Sequence, residues 1–252
     1  MPSHAPRGAQ MLAWVLTAFV LLAAAPVAAK PAVVVSALPH VARVLTQVLP
    51  LRIVAFGSSS TEGVGASSPA ASYPARLQVW LSTALPGPVE VINAGIGGQD
   101  ADDMLRRIDR VLARHPDLVI WQTGSNDPLR GVPLARFDAE TRAGIAVFRA
   151  AGADVMLMEP QDCKVLRGRP GALAYRDDLR RIAAELRVPL VRRYDLMDAW
   201  LAEGLLTRAQ LLYGDGLHMT DGGYARLAIA VGQQILALAA RHTGAFYAGD
   251  GK

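Results

Sequence analysis

Short β-branched runs alternate with longer amphipathic runs from residue 51 to residue 241 of this 252-residue chain. The apolar runs have the length of buried strands and lie at 52–56, 89–93, 118–122, 155–158 and 190–193. Apolar residues at helical spacing occupy 72–85, 101–114, 136–151, 173–186 and 221–241. Strands that alternate with helices form a parallel sheet covered on both faces. The alternation therefore predicts the α/β class, as a single-domain, three-layer α/β/α sandwich with a five-stranded parallel sheet.

The first 29 residues differ in composition from the rest of the chain. Arg7 precedes an apolar run from Met11 to about Ala25, and the small residues Val27-Ala28-Ala29 close the segment. This is the pattern of a secretory signal peptide, so we expect cleavage near Ala29 and export to the periplasm or the medium. An uncleaved anchor is the alternative, since the run is just long enough. We expect no other segment to be long and apolar enough to span a membrane stably.

The remaining chain divides into three predicted parts. Residues 30–50 are expected to form a leading packing segment, residues 51–242 the main domain, and residues 243–252 a loose C-terminal tail. Cys163 is the only cysteine, so no intrachain disulfide is possible and we expect this thiol to have no chemical role. The formal net charge of +4 is modest and consists mostly of scattered arginines, which argues against a nucleic-acid partner.

Four polar, glycine-containing elements lie where predicted strands end or where the last helix begins. Gly57–Ser60 (GSSS) follows the first strand, Asn93–Gly98 (NAGIGG) ends the second and Gly124–Asp127 (GSND) follows the third. Gly214–His218 (GDGLH) comes just before the last helix. Ligands of open parallel sheets bind outside the carboxyl ends of the strands. We therefore expect these four elements to form one site.

In this order, the four elements resemble the sequence blocks of the SGNH, or GDSL, hydrolase superfamily. Gly57-Ser58-Ser59-Ser60-Thr61 matches the family's Gly-Asp-Ser-Leu-Thr opening, and Gly98 matches the glycine of its second block. Gly124–Asp127 matches Gly-x-Asn-Asp, and Asp215–His218 matches Asp-x-x-His. The resemblance implies a flavodoxin-like SGNH hydrolase fold for residues 51–242 and an esterase or lipase-like acyl hydrolase activity. The chain departs from the family where Ser58 replaces Asp and where Ser60 replaces Leu.

The resemblance also implies a role for each matched residue. Ser59 would be the nucleophile, His218 the base that takes its proton, and Asp215 the group that holds the imidazole. The oxyanion would be bound by the backbone N–H groups of Ser59 and Gly98 and by the side-chain amide of Asn126. This chemistry requires no metal and no cofactor. We expect a small-molecule or envelope-derived ester as the substrate.

Other polar residues near these blocks are predicted to be structural. Asp127 is expected to cap the segment that follows it, and Trp121 to lie in the core. Asp100, Asp102 and Asp103 are expected at the start of a helix, where negative charge is favoured. The loop Gln161–Pro170 is expected to be an exposed connection, with one wall of the substrate pocket as the alternative.

Individual residues argue against two other enzyme classes. The glycine-rich segment after the first strand lacks the Lys-Ser/Thr ending of a phosphate-binding Walker loop. An α/β-hydrolase would carry a second glycine at position 61, which Thr61 occupies. An acyltransferase, or a non-catalytic relative that binds an acylated glycan or lipid, uses the same fold and stays open.

Overall fold

The computed structural model describes Met1 and residues 38–243. The chain divides into two compact units, residues 1–33 and 34–252, and all the elements below belong to the second. The predicted signal peptide, residues 30–37 of the leading segment and the tail from residue 244 lie outside the described residues. The domain boundaries at residues 29, 50 and 242 therefore stay predictions.

Five parallel strands form one sheet in the order β2-β1-β3-β4-β5. The strands are β1 (Leu51–Gly57), β2 (Val89–Gly95), β3 (Leu118–Gln122), β4 (Asp154–Met158) and β5 (Leu190–Val191). This is the flavodoxin-like order of doubly wound sheets. The predicted fold class is confirmed, although the fifth strand ends at Val191 and Arg193 already belongs to a helix.

Twelve α-helices and one 3₁₀ turn occur within the described residues. The helices that precede β3 are α1 (Pro39–Thr46), α2 (Ser59–Glu62), α3 (Tyr73–Ala84), α4 (Ala101–Leu105) and α5 (Ile108–Leu112). Those that follow β3 are α6 (Asn126–Arg130), α7 (Leu134–Ala150), α8 (Lys164–Arg167), α9 (Ala172–Leu186), α10 (Arg193–Ala202), α11 (Arg208–Leu211) and α12 (Asp221–Thr243). The 3₁₀ turn covers Pro69–Ala71.

The sheet separates two hydrophobic clusters because successive side chains of a strand point to opposite faces. On β1, Ile53 and Ala55 belong to one cluster, whereas Val54 and Phe56 belong to the other. Helices α1, α3, α10 and α12 contribute to the first cluster, and α4, α5, α7 and α9 to the second. Trp121 is fully buried in the second cluster beside Phe56, as predicted.

Helix α12 corrects one expectation about membranes. Among the described residues it is the one helix whose length and composition would allow it to cross a bilayer, over Asp221–Ala240 with a mean hydropathy of 1.2. The expectation that no segment after the signal is long and apolar enough was therefore wrong, whereas the absence of a stable membrane span stays a prediction. Half of that stretch is buried in the structure, and Tyr224, Leu227 and Val231 lie in the core beside α3.

The predicted helix over 101–114 is divided into α4 and α5 at Arg106 and Arg107. Arg107 turns inward and donates to two carbonyl oxygens at the ends of neighbouring strands, Ala94 O at 2.9 Å and Gly57 O at 3.0 Å. These acceptors are remote in sequence, so the apolar periodicity of 101–114 gave no sign of the break.

The loop after β4 is exposed over most of residues 164–170, as the sequence predicted, but its first three residues are not. Gln161, Asp162 and Cys163 are buried, and α8 follows immediately. Burial raises the pKa of the Cys163 thiol, which keeps it protonated and unreactive. The buried start of this loop follows from its polar partners, which include the Arg167 guanidinium beside Asp162.

Candidate active site

Ser59 lies at the carboxyl end of β1, where the chain turns directly into α2. The N–H groups of Glu62 and Gly63 donate to Ser58 O and Ser59 O at 2.9 and 3.0 Å, and they define this short helix. The N–H of a helix's first residue has no acceptor within the helix, so that of Ser59 is free to bind another group. The side chain of Ser59 is half-buried.

Gln122, the last residue of β3, supports this turn by binding Ser58, the residue that replaces the Asp of the family pattern. Its Oε1 accepts from the Ser58 N–H at 3.0 Å and lies 3.2 Å from both the Ser58 and Thr61 hydroxyls. All three residues are buried. The Gln122 side chain, which comes from the neighbouring strand, therefore stabilises this turn more than the short Ser58 hydroxyl alone would. The sequence analysis missed Gln122, because only the pairing of β1 with β3 brings it to Ser58.

The three predicted triad residues lie in one hydrogen-bonded series. His218 Nε2 is 2.8 Å from Ser59 Oγ, and His218 Nδ1 is 2.6 Å from Asp215 Oδ2. The second carboxylate oxygen of Asp215 accepts from the backbone N–H groups of Leu217 and His218, each at 2.9 Å. Asp215 thereby binds both the ring and the backbone of the histidine.

The protonation of this series follows from the acceptor at its end. An ionised carboxylate can only accept, so the proton of the neutral ring lies on Nδ1 and Nε2 accepts from the Ser59 hydroxyl. Burial is the largest single influence on Asp215 and opposes its charge. The hydrogen bonds from the His218 ring and from the two backbone N–H groups together outweigh it and lower the pKa of Asp215.

Local backbone pairing stabilises the loop that carries His218, and Gly65, just after α2, packs closely against it. Tyr213 N–H donates to His218 O at 2.8 Å, and Leu212 forms an antiparallel bridge with Met219. Gly65 has φ 89°, and a Cβ there would lie 2.6 Å from Met219 O and 3.1 Å from His218 Cβ. Any other residue at 65 would push the histidine away from the nucleophile.

Two of the three predicted oxyanion donors, Gly98 and Asn126, lie in segments that contact one another. Asn126 begins α6, and its Nδ2 donates to Gln99 O at 2.7 Å, next to Gly98. Gly98 has φ 76°, a left-handed conformation that favours glycine, and open space surrounds its Cβ position. A Cβ at the adjacent Gly97 would lie 3.8 Å from Ser59 Cβ, so this turn borders the nucleophile.

Asp127 holds this side of the site together, but not as the sequence predicted. Its Oδ1 accepts from the N–H of Ala101 at 3.0 Å, so it caps α4 and not its own helix. Burial raises the pKa of the Asp127 carboxyl to about 6, although the hydrogen bond from Ala101 opposes this. Asp100 is the N-cap of α4, as predicted, and accepts from the Asp103 N–H at 3.0 Å.

The structure thus brings Ser59, His218 and Asp215 into direct contact and sets the Gly98 and Asn126 loops beside them. The catalytic and oxyanion-binding roles of these five residues stay predictions. No group of three or more His, Cys, Asp or Glu side chains within residues 38–243 has the arrangement of a metal site.

Known proteins are similar to this chain in both sequence and fold. The sequence profile of the Non-GDSL lipase-like family matches residues 24–216. The chain is 28% identical to an arylesterase of Vibrio mimicus over 149 residues, 59% of this chain and 70% of the relative. It is 28% identical over 168 residues to the thioesterase 1/protease 1/lysophospholipase L1 of Escherichia coli (strain K12), 66% of this chain and 74% of the relative.

A solved structure extends the likeness to three dimensions. The lipase/acylhydrolase from Enterococcus faecalis superposes with a TM-score of 0.64 at 25% identity, over 74% of this chain and 96% of that one.

Proposed function

The chain belongs to the Non-GDSL lipase-like family, within the SGNH/GDSL hydrolase superfamily, and we propose that it is an exported serine esterase. It would cleave carboxylic esters through an acyl-enzyme intermediate. The observation that carries this proposal is the hydrogen-bonded series from Ser59 through His218 to Asp215.

The proposed reaction follows from the positions of the atoms. Ser59 Oγ attacks the acyl carbonyl while His218 Nε2 takes the hydroxyl proton and then gives it to the leaving alkoxide. Asp215 holds the ring and stabilises the imidazolium that forms. Water then attacks the acyl-enzyme while His218 again accepts a proton, and His218 returns that proton to Ser59 Oγ as the bond between Ser59 and the acyl group breaks and the free acid leaves. The Ser59 and Gly98 N–H groups and the Asn126 amide would bind the oxyanion of both tetrahedral intermediates.

Two observations support a substrate that is an ester with moderately apolar acyl or alcohol groups. The relatives named above are an arylesterase and a thioesterase with lysophospholipase activity in its name. A cavity of about 740 Å³ lies beside the His218 loop, and Val64, Ala66 and Leu206 line it together with the polar residues Gln210 and Asp221. Neither Ser59 nor His218 lines this cavity, so it would bind a remote part of the ester and not the reacting carbonyl.

Export rests on the amino-terminal sequence alone. The apolar run from Met11 to about Ala25 and the small residues before Lys30 support cleavage after Ala29. N-terminal sequencing of the protein recovered from a periplasmic fraction tests this. A chain that keeps residues 1–29 and sediments with membranes would support the uncleaved anchor instead.

A fluorophosphonate probe tests the nucleophile directly. We expect one adduct on Ser59, located by peptide mass spectrometry, and its loss in Ser59→Ala but not in Ser58→Ala or Ser60→Ala. His218→Ala should slow labelling because the hydroxyl loses its base. An adduct on Ser58 or Ser60, or none at all, would remove the basis of the proposal.

Product analysis on a panel of aryl and acyl esters then defines the reaction. We expect release of free acid and alcohol in equal amounts, with a burst of alcohol if hydrolysis of the acyl-enzyme is slow. The same incubation with an added acceptor sugar separates hydrolysis from acyl transfer. Acyl sugar as the main product would convert the proposal to an acyltransferase.

A further inference from the structure

Buried polar side chains connect the carboxyl ends of four strands behind the triad. We call this set the buried polar network, and each of its members is at most 5% exposed. Because the sheet order is β1-β3-β4-β5 on this side, the network crosses neighbouring strands in turn. Its members are Ser58 and Thr61 after β1, Gln122 and Ser125 at β3, Gln161 after β4 and Arg193 after β5.

Arg193 fixes the orientation of the Gln161 amide. A guanidinium can only donate, and Arg193 Nη2 lies 2.6 Å from Gln161 Oε1. The Ser125 hydroxyl donates to the same oxygen at 3.2 Å. The oxygen of the amide must face these two donors, so Nε2 is turned to the opposite side. There it donates to Leu217 O at 3.0 Å.

The other end of the network has an equally fixed direction. Gln122 Oε1 faces the backbone N–H of Ser58, which can only donate. Its Nε2 is therefore left to donate to Ser125 Oγ at 3.2 Å. The Ser125 proton is then free to point at Gln161. With a donor at each end, no amide in the network can turn over without losing hydrogen bonds.

The two ends of the network hold the residues that precede two triad members. Ser58 precedes Ser59, and Leu217 precedes His218. The hydrogen bond of 2.8 Å between His218 Nε2 and Ser59 Oγ joins loops that are 159 residues apart in the chain. A separation of these loops by 1 Å would break that bond and cost catalysis heavily.

Arg193 is costly to bury, because among the described residues no carboxylate forms an ion pair with it, although the nearby Glu159 charge favours its protonated form. The side chain is fully buried, and within the described residues it forms no ion pair and leaves Nη1 without a partner. Its Nε donates to Glu159 O at 2.9 Å, while the Glu159 carboxylate binds Arg180 instead. Burial lowers the pKa of Arg193 to about 10, so it is still charged at neutral pH. Core packing by itself does not require a guanidinium at this position, whereas the acceptors Glu159 O and Gln161 Oε1 do require a donor.

We propose that Gln161 and Arg193 are positioning residues for His218. Arg193 holds the Gln161 amide in the one orientation that donates to Leu217 O, and this hydrogen bond keeps the imidazole within reach of Ser59. The inference rests on the proposed esterase function, because it assigns to His218 the role of the base.

Gln161→Glu is the first test, since it removes only the donor to Leu217. The carboxylate still accepts from Arg193 and Ser125 but has no N–H, and its oxygen repels Leu217 O. We expect kcat for an aryl ester to fall about 10- to 100-fold, with KM within about twofold of the wild type. Gln161→Met, which can neither donate nor accept, should show the same division between kcat and KM.

Arg193→Lys and Arg193→Met test the second residue. Lysine can still donate to Gln161 Oε1, so we expect it to recover most of the activity that methionine loses. Arg167→Met is the matched control, because it breaks the contact with Asp162 in the same loop without touching Gln161. This control should lower the melting temperature and leave kcat unchanged, with active sites counted by fluorophosphonate titration well below the melting temperature.

Nitrogen NMR of ¹⁵N-histidine protein reads the geometry without any substrate. We expect the His218 Nε2 signal, assigned from His218→Ala, to move in Gln161→Glu and to stay in place in Arg167→Met. If the wild type hydrolyses no ester, the esterase proposal fails and this signal alone decides whether Gln161 positions the ring. Variants at 161 and 193 that melt earlier but keep both kcat and the His218 signal would overturn the inference.

Discussion

Two buried arginines lie on opposite sides of Ser59, and within the described residues neither is paired with a carboxylate. We call the side with Gly97–Gln99, Asn126 and Arg107 the oxyanion flank. The side with residues 213–218, Gln161 and Arg193 is the base flank. Each arginine binds a backbone carbonyl at a strand end and the side-chain oxygen of a glutamine that belongs to an active-site loop.

The two arginines differ in how completely they are satisfied. Arg107 uses Nε, Nη1 and Nη2 on three different acceptors, and it stacks over the Phe56 ring at 4.5 Å. Arg193 has two acceptors and one nitrogen without a partner. The guanidinium of the oxyanion flank is therefore fully paired, whereas that of the base flank keeps one unpaired nitrogen and binds the Gln161 amide that we propose to position His218.

The largest expected effect lies on the base flank. His218→Ala removes the proposed base for the Ser59 hydroxyl, and we expect kcat to fall about 10⁴-fold or more. Steady-state hydrolysis of an aryl ester measures this, with circular dichroism as the check on folding. A loss smaller than that of Asn126→Ala would mean that the base has been assigned to the wrong residue.

Asn126→Ala gives the matching measurement on the oxyanion flank. Removal of one oxyanion donor costs about 10²- to 10³-fold in kcat. Asn126→Asp is the companion variant, since its carboxylate can donate neither to an oxyanion nor to Gln99 O, and urea denaturation of both variants measures what loss of the hydrogen bond to Gln99 costs in stability. Near-normal turnover in both variants would show that the amide does not bind the oxyanion.

Arg107→Met should destabilise the fold more than Arg193→Met does. It leaves Gly57 O, Ala94 O and Gln99 Oε1 without their donors, and we expect a loss of about 3 kcal/mol in the free energy of unfolding. Urea denaturation measures it, and the control is Arg110→Met, a change at an exposed arginine three residues along the chain that binds none of these acceptors. Equal losses of unfolding free energy in Arg107→Met and Arg193→Met would contradict the claim that Arg107 contributes more to stability than Arg193.

Asp127 gives the oxyanion flank a dependence on pH. The pKa of its carboxyl is raised to about 6, whereas an unfolded aspartate has a pKa of about 3.9. The folded chain therefore holds a proton that the unfolded chain has released, so this group stabilises the fold below about pH 4 and the contribution is lost as the pH rises through 6. Relative to wild type, Asp127→Asn should gain about 2 to 3 kcal/mol in unfolding free energy between pH 4 and pH 8.

Asp138→Asn is the control for this measurement. Burial opposes ionisation of Asp138, but hydrogen bonds from Arg142 and Arg181 outweigh it and lower the pKa. Its stabilising contribution is therefore present above about pH 4, and the difference from wild type should change with pH in the opposite direction. A pH-independent difference for Asp127→Asn would show that the carboxyl is not responsible.

Local patterns in the sequence predicted the parts of the site that depend on a single loop. Asp215 and His218 are three residues apart, so one turn of chain is enough to bring them together. The N-cap at Asp100 likewise depends on its immediate neighbours. In contrast, the break at Arg107 and the capping of α4 by Asp127 depend on groups from other strands and loops, and periodicity could not reveal them.

From the sequence alone we could recognise that five apolar strands alternate with helices, that three polar blocks lie where strands end and that a fourth precedes the last helix. Apolar periodicity and turn chemistry are local, so they can be recognised in one segment at a time. The hydrogen bonds of Gln122, Gln161 and Arg193 that connect these blocks became visible only in the folded chain. A buried polar side chain requires a partner, and its identity depends on which strands are neighbours in the sheet and not on the residues beside it in the chain.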